Sequence, residues 1–563
     1  MYPSERRFDI RSIGVWKLPV GRPTEQTKQT WVQKCNFVLR CSARVELLDA
    51  GADELRQCGW IVDVRTQDGR QTAVFVSIAV ASSTVKLRKR LMTCVPGAVC
   101  RLGCEDFLAF MDHDDAVAAT VYMPSHVGKV RVDGRDVWVF PDVVLDEAGE
   151  RVLDAPIFFD REHVRHRENG EVVCLPSLLP APTERCADAP RRLRALSTSL
   201  RTVYGAKTPY VLHLLTSVLK AIHFDALMRD EHFVPVANIS GPANVGKTLA
   251  CAVALRIMAS DSLMLSRCTA SAMIDATHTL KNMLVVWDDP RDATAAQLSA
   301  IVHEAFSGQA TNVVSRGVRR YHSVLIIGTQ ERLLGMPYTG VNAATFTRLS
   351  HMDMSGAAGI NGKGEPALQQ AMRALDGVFG HLLASTEYRA AEVARLHDAL
   401  TKRAGDEVVH RSLRVAAIDW FFARALVDLG FDCPEADAYF AGTYLDFLRR
   451  HCARLSPLEQ FCRQIRELLA RRVPMPKDSF KDRVLADLKA CGPTECVALY
   501  SKDFSPYLEA MHVKAPLTKE QLHGAIKSNP QLGEVGRNVA YRTHAGVQIR
   551  RSVVLRHVCI FGA

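Results

Sequence analysis

Residues 233–250 read Phe-Val-Pro-Val-Ala-Asn-Ile-Ser-Gly-Pro-Ala-Asn-Val-Gly-Lys-Thr-Leu-Ala, and no other stretch limits the fold as tightly. The apolar run Val234 to Ile239 predicts a buried parallel strand. Gly241, Pro242, Ala243, Asn244, Val245, Gly246, Lys247 and Thr248 then spell the phosphate loop G-x-x-x-x-G-K-[ST], and Leu249 to Met258 predicts a helix. Gly241 and Gly246 allow backbone angles that a side chain would forbid. Loop amides and the helix N-terminus then face an anion. Lys247 is expected to reach the β/γ-phosphates of a bound nucleotide, and Thr248 to ligate Mg²⁺. A chance match in a turn would not require both the strand before it and the helix after it.

Forty residues on, Met283-Leu-Val-Val-Trp-Asp288-Asp289 predicts a buried strand ending in two carboxylates. Asp288 is expected to hold the metal's water shell, and Asp289 to polarise an attacking water. The bland alternative is an acidic turn after a core strand. The interval argues against it, because one helix–strand–helix unit must fit between the two motifs. Ser323 to Gln330 predicts a third core strand, with Thr329 and Gln330 at its end as candidates to hold that water. Ordinary strand-end capping is the competing explanation. Arg348 precedes an alternating strand, where it is expected to cross to a neighbour's γ-phosphate or to make a surface salt bridge.

GPANVGKT, LVVWDDP and SVLIIGTQE at these intervals resemble the superfamily-three helicases of small DNA viruses. That family expects an asparagine at the third motif, where this chain has Thr329 and Gln330. A closer resemblance is to the helicase-like domain of phage and mobile-element primase–helicases. It is carried by AFSGQATNVVSRG from Ala305, VLIIGTQERLL from Val324 and RSLRVAAID from Arg411. The resemblance implies a ring-forming AAA+-type ATPase that uses ATP and Mg²⁺ and translocates DNA. It also implies a homo-hexamer or other ring, with a primase or replication partner. Translation-type GTPases share Asn-Val-Gly-Lys-Thr, but N-K-x-D is absent and Asp288-Asp-Pro-Arg lacks the glycine of D-x-x-G.

Around this core, 563 residues require several domains. The fold class expected is α/β: a P-loop NTPase (AAA+-like) core at 206–358, with an N-terminal α/β domain at 1–145 and a linker at 146–205. A helical lid is expected at 359–455 and a winged-helix-like basic domain at 456–563. Trp420, Phe421 and Phe422 are expected in the lid's core. Arg316, Arg319 and Arg320, on a hairpin before the third strand, are candidates to grip nucleic acid. So are Lys527, Arg537, Arg542, Arg550 and Arg551 in the last domain, where Glu534 is the single acid among them. Solvated turns and a protein-binding wing are the alternatives.

The net charge of +10 mildly favours a polyanionic partner. Sixteen cysteines without a C-x-x-C imply thiols in a reducing compartment, cytosol or nucleus. Cys94, Cys100, Cys104 and His113 fit no standard zinc spacing. No apolar run is long enough to span a bilayer. Two functions follow: an ATP-dependent helicase or translocase, or an ATP-dependent DNA-binding regulator without unwinding. Strand displacement on a forked duplex separates them.

Overall fold

The structure is a computed structural model. It describes residues 8–11, 14–17, 32–49, 57–94, 97–114, 119–140, 143–153, 157, 165–168, 171–174, 184–258, 260, 263–266, 268–290, 295–313, 317–329, 343–354, 359–405, 408–451, 495–499, 523–524, 526–527, 533–543 and 546–556. A five-stranded parallel sheet lies at the centre. Its order is Met264–Ser266, Leu284–Asp288, Val324–Thr329, Val236–Ser240 and Leu349–Asp353. The phosphate-loop strand Val236–Ser240 is buried throughout, as is Val324–Thr329. Such near-continuous apolar runs occur where helices cover both faces of a parallel sheet. The edge strand Leu349–Asp353 is also buried from Leu349 to Met352, so its alternating sequence does not mark a half-exposed strand.

Several expected boundaries move. Two helices, Thr208–Ile222 and Phe224–Asp230, precede the phosphate-loop strand, with a break at His223. Every residue of the first except Tyr210 is buried, which marks a helix enclosed on all sides. Residues 189–204, expected in the linker, form the helix Ala189–Tyr204, whose Leu193, Leu196 and Leu200 enter the main core. The proline cluster before it lies outside the described residues. The strands Val127–Val132 and Arg135–Phe140, expected in the N-terminal domain, join the main unit. Val127 and Gly128 pair in parallel with Leu280 and Lys281, and Trp138 and Phe140 belong to the main core. The N-terminal sheet Gln71–Ser77, Gln57–Thr66, Phe37–Leu47 and Ala119–Met123 keeps a separate core with the helices Thr84–Cys94 and Cys104–Asp114.

The helices after residue 359 pack into the core of the sheet. Ala390–Ala404 and His410–Asp428 share one continuous core with the sheet, and Trp420, Phe421 and Phe422 are buried in it. The helices Glu365–Arg373 and Val378–Ser385 are separated before Gly377, and a π-helical segment spans Tyr439–Tyr444. At 495–499, 533–543 and 546–556 lies a three-stranded antiparallel sheet, its last two strands paired as a hairpin. Among the described residues no single helix is long and apolar enough to cross a membrane.

One buried polar cluster joins this core. Asp419, on His410–Asp428, is fully enclosed. Its Oδ1 accepts from Lys220 Nζ at 2.7 Å and Thr216 Oγ1 at 3.2 Å. Its Oδ2 accepts from Ser350 Oγ at 2.6 Å and from His213 Nε2, 3.0 Å away. Burial raises the cost of the Asp419 anion, but Lys220 and His213 outweigh it and hold the carboxyl well below the usual range. Burial also pushes His213 down, against the pull of Asp419, and its Nδ1 lies 3.1 Å from the Tyr439 hydroxyl. The cluster thus holds one anion and one cation with their hydrogen bonds made, the condition under which buried charge is tolerated.

Two measurements test this. Asp419→Ala strands a buried Lys220, so a loss of about 3–5 kcal/mol in urea unfolding is expected. Asp419→Leu with Lys220→Met should lose less than either single change; additive losses would show that the pair is not coupled. Second, burial lowers His223 to about 4, while its ring lies flat against Phe422. A histidine with a depressed folded pKa contributes stability above its unfolded value near 6.5, lost as pH falls. His223→Gln should flatten the pH 4–6.5 stability slope by at most about 1.4 kcal/mol per pH unit.

Candidate functional site

The phosphate loop leaves the carboxyl end of Val236–Ser240, where an open α/β sheet places its ligands. Asn244 (φ 64°) and Gly246 (φ 85°) turn the chain into the helix Lys247–Ile257. No side chain caps this helix, so its first amides face outward. Val245 is buried and anchors the loop, whereas Pro242, Ala243 and Asn244 are exposed. A Cβ on Gly246 would sit 2.6 Å from Ile360 Cγ2 and 2.8 Å from Tyr204 Cε1. The position therefore needs glycine for space as well as for its angle. Tyr204 also donates its hydroxyl to Gly246 O at 2.7 Å.

Lys247 Nζ donates to Gly241 O at 2.8 Å and Pro242 O at 2.7 Å. Burial pulls this ammonium below its ordinary value, against the attraction of Asp288 and Asp289. Thr248 Oγ1 donates to Asp288 Oδ2 at 3.2 Å. Burial raises the Asp288 carboxyl, and Asp289 beside it adds to the rise. A hydroxyl and a carboxylate this close are hard oxygen ligands suited to Mg²⁺. Asp289 has φ 54°, an angle that costs a non-glycine residue about 1 kcal/mol. Its amide donates to Gly328 O at 2.8 Å, which fixes the turn. Lys247, Thr248, Asp288, Asp289 and Thr329 share the wall of one cavity of about 360 Å³ with Gly246 and Ile360.

Thr329 is buried, and Asn238 Nδ2 lies 3.5 Å from its hydroxyl and 3.1 Å from Ile327 O. Gln330 lies outside the described residues. Tyr204 and Ile360 had no local signal, because each reaches the loop across the fold, and Asn238 had none because its partner Thr329 lies on another strand. Gly328 had one: a glycine inside an apolar strand marks a close approach. A Cβ there would stand 2.7 Å from Asp288 Oδ1.

Arg348 is elsewhere. The register pairs Val236 with Leu349 and Ser240 with Asp353, so Arg348 lies at the opposite end of the sheet from the loop. Five residues of strand separate the ends, about 16 Å. Its guanidinium lies 5.6 Å from the Phe306 ring, and burial followed by Arg411 lowers its pKa. Arg319 and Arg320 fall on the strand Gly317–Arg320, paired with Ala310–Val313, and Arg320 is exposed. Arg316 lies outside the described residues. Arg537, Arg542, Arg550 and Arg551 occupy paired strands, and Lys527 is exposed.

These elements define an α/β fold with a phosphate loop and an acidic strand end converging at the carboxyl edge of a parallel sheet. No protein-family model matches the chain, and no curated protein sequence matches it. Among solved structures it aligns with an active helicase, SCCmec type IV Cch, at a TM-score of 0.53 and 13% identity, covering 99% of both chains. At that identity the likeness is one of fold alone. A putative ATPase from Cytophaga hutchinsonii (TM-score 0.29, 11% identity, 51% of this chain and 96% of that one) is more distant. So is a full-length MCM homolog from Methanopyrus kandleri (0.33, 11%, 75% and 78%).

Gly328→Ala should displace Asp288 without disturbing the phosphate loop. ATP affinity in Mg²⁺ is expected to fall about 10-fold, the scale of an outer-contact loss at a metal site. Affinity in EDTA should hold, and an equal loss in both conditions would show that Asp288 is no metal ligand.

Proposed function

We propose that the chain hydrolyses ATP and uses the energy to move along or unwind DNA, in the manner of the superfamily-three and mobile-element helicases its motifs resemble. The observation that carries this is the convergence of Lys247, Thr248, Asp288 and Asp289 on one cavity, with Thr248 3.2 Å from Asp288. Loop amides and the Lys247 ammonium would bind the β/γ-phosphates, Lys247 exchanging two loop carbonyls for phosphate oxygens. Thr248 and Asp288 would hold Mg²⁺, which supplies charge neutralisation when bound. Asp289 takes the proton as water attacks the γ-phosphorus and the bond to the β–γ bridging oxygen breaks. Thr329, braced by Asn238, orients that water.

Arg348 is too far from the loop of its own chain to touch the same nucleotide. It serves a neighbouring copy, which accounts for a ring, a homo-hexamer or another closed assembly. The 310–320 hairpin, with Arg316, Arg319 and Arg320, grips the DNA backbone. The C-terminal sheet is the wing of a winged-helix-like domain, and Lys527, Arg537, Arg542, Arg550 and Arg551 add phosphate contacts. A primase or replication partner fits the same resemblance.

Asp289→Asn should lower ATP turnover about 10²–10⁴-fold while ATP binding persists. Lys247→Ala should abolish turnover. Mixing inactive Lys247→Ala with inactive Arg348→Ala should restore part of the activity, because some interfaces then hold an intact lysine and an intact arginine. No restoration would refute action between subunits. Strand displacement on a forked duplex is expected; DNA-stimulated hydrolysis without displacement would favour the regulator or a pure translocase.

A further inference from the structure

Away from the phosphate loop, His126, His278 and His322 come together from three segments. They precede the strand Val127–Val132, close the helix Ala270–Thr279 and precede the strand Val324–Thr329. One ring nitrogen from each lies within 4.8 Å of the other two. Ring centroids stand 5.6 to 6.0 Å apart, with His126 near perpendicular to both partners. We propose that these three imidazoles form a site for a divalent transition metal of zinc's class, pinning the strand at 127–132 to the core.

The outer contacts suit this assignment. His126 Nδ1 lies 2.7 Å from Ser125 Oγ, and that hydroxyl donates to Asp49. His278 Nδ1 lies 3.3 Å from both the C=O and the N–H of Arg320. With its Nδ1 protonated and donating to Ser125 Oγ, His126 keeps on Nε2 the lone pair a metal needs. Such outer partners fix the tautomer and orientation of metal-binding histidines. The three segments are also tied by backbone. Asn282 N donates to His322 O at 2.7 Å, Ser323 Oγ to Thr277 O at 3.1 Å, and Leu280–Lys281 pairs with Val127–Gly128. Tetrahedral zinc with imidazole at 2.0–2.1 Å places nitrogens about 3.4 Å apart, so small ring rotations close the site. Three protein ligands leave a fourth position for water or an anion, which also offsets the neighbouring Lys281. Cys100, one of the cysteines weighed from the sequence, instead faces Cys35, with sulfurs 3.7 Å apart.

The metal would sit where the helix Ala270–Thr279 meets Arg320 of the 310–320 hairpin. Its occupancy therefore bears on that hairpin's position, yet the site does not depend on the ATP reading. The test uses the full chain, stripped with EDTA and titrated with Zn²⁺ against a chromophoric chelator. One ion per chain is expected, bound about 100-fold more weakly by His278→Ala and His322→Ala and unaffected by Lys247→Ala. Co²⁺ should give the visible absorption of a tetrahedral site, and zinc X-ray absorption of the unaltered protein should show imidazole nitrogens near 2.0 Å. Less than a stoichiometric ion, equal binding by the histidine variants, or sulfur near 2.3 Å would each overturn the site. Should the variants not fold, the X-ray absorption of the unaltered chain decides alone.

Discussion

A carboxylate that cannot reach water sets the terms for the core. Asp419 gathers Lys220, Thr216 and His213 from one helix and Ser350 from the edge strand. Any arrangement that separated them would leave charge in an apolar interior, a cost of several kcal/mol. The cluster therefore fixes where Leu349–Asp353 lies against Val236–Ser240, and with it the strand that delivers the phosphate loop. The carbon-rich core would accept many packings; the buried ion pair accepts few.

The parallel sheet explains why chemistry gathers at one edge. A parallel sheet covered on both faces opens to ligands at the carboxyl ends of its strands. Thr248, Asp288, Asp289 and Thr329 all follow from that, as does the strained angle at Asp289. The same geometry separates Arg348 from them, because it enters its strand at the far end. Within a single chain the cavity has a lysine and two acids but no arginine from that position.

The N-terminal strands divide between two cores. Phe37–Leu47 and its neighbours fold around Trp60 and Phe107, while Val127–Phe140 faces the main core through Trp138 and Phe140. A change in which face is covered, with no composition shift to announce it, moves the boundary. The amphipathic helix Ala189–Tyr204 was hidden in the same way behind a proline cluster and a run of arginines.

The sequence by itself determined the phosphate loop, the acidic strand end and the strands and helices between them. Each is specified within about ten residues: glycines where angles or space demand them, apolar runs where burial demands them, charge at the stop. Only the tertiary structure decided that Tyr204 and Ile360 close on Gly246, that Asn238 braces Thr329, and that three histidines 44 to 196 residues apart share one corner. It also decided that the helices after 359 belong to the sheet's own core. Those contacts join positions far apart in the chain, and local pattern has no means of encoding a distance that only packing sets.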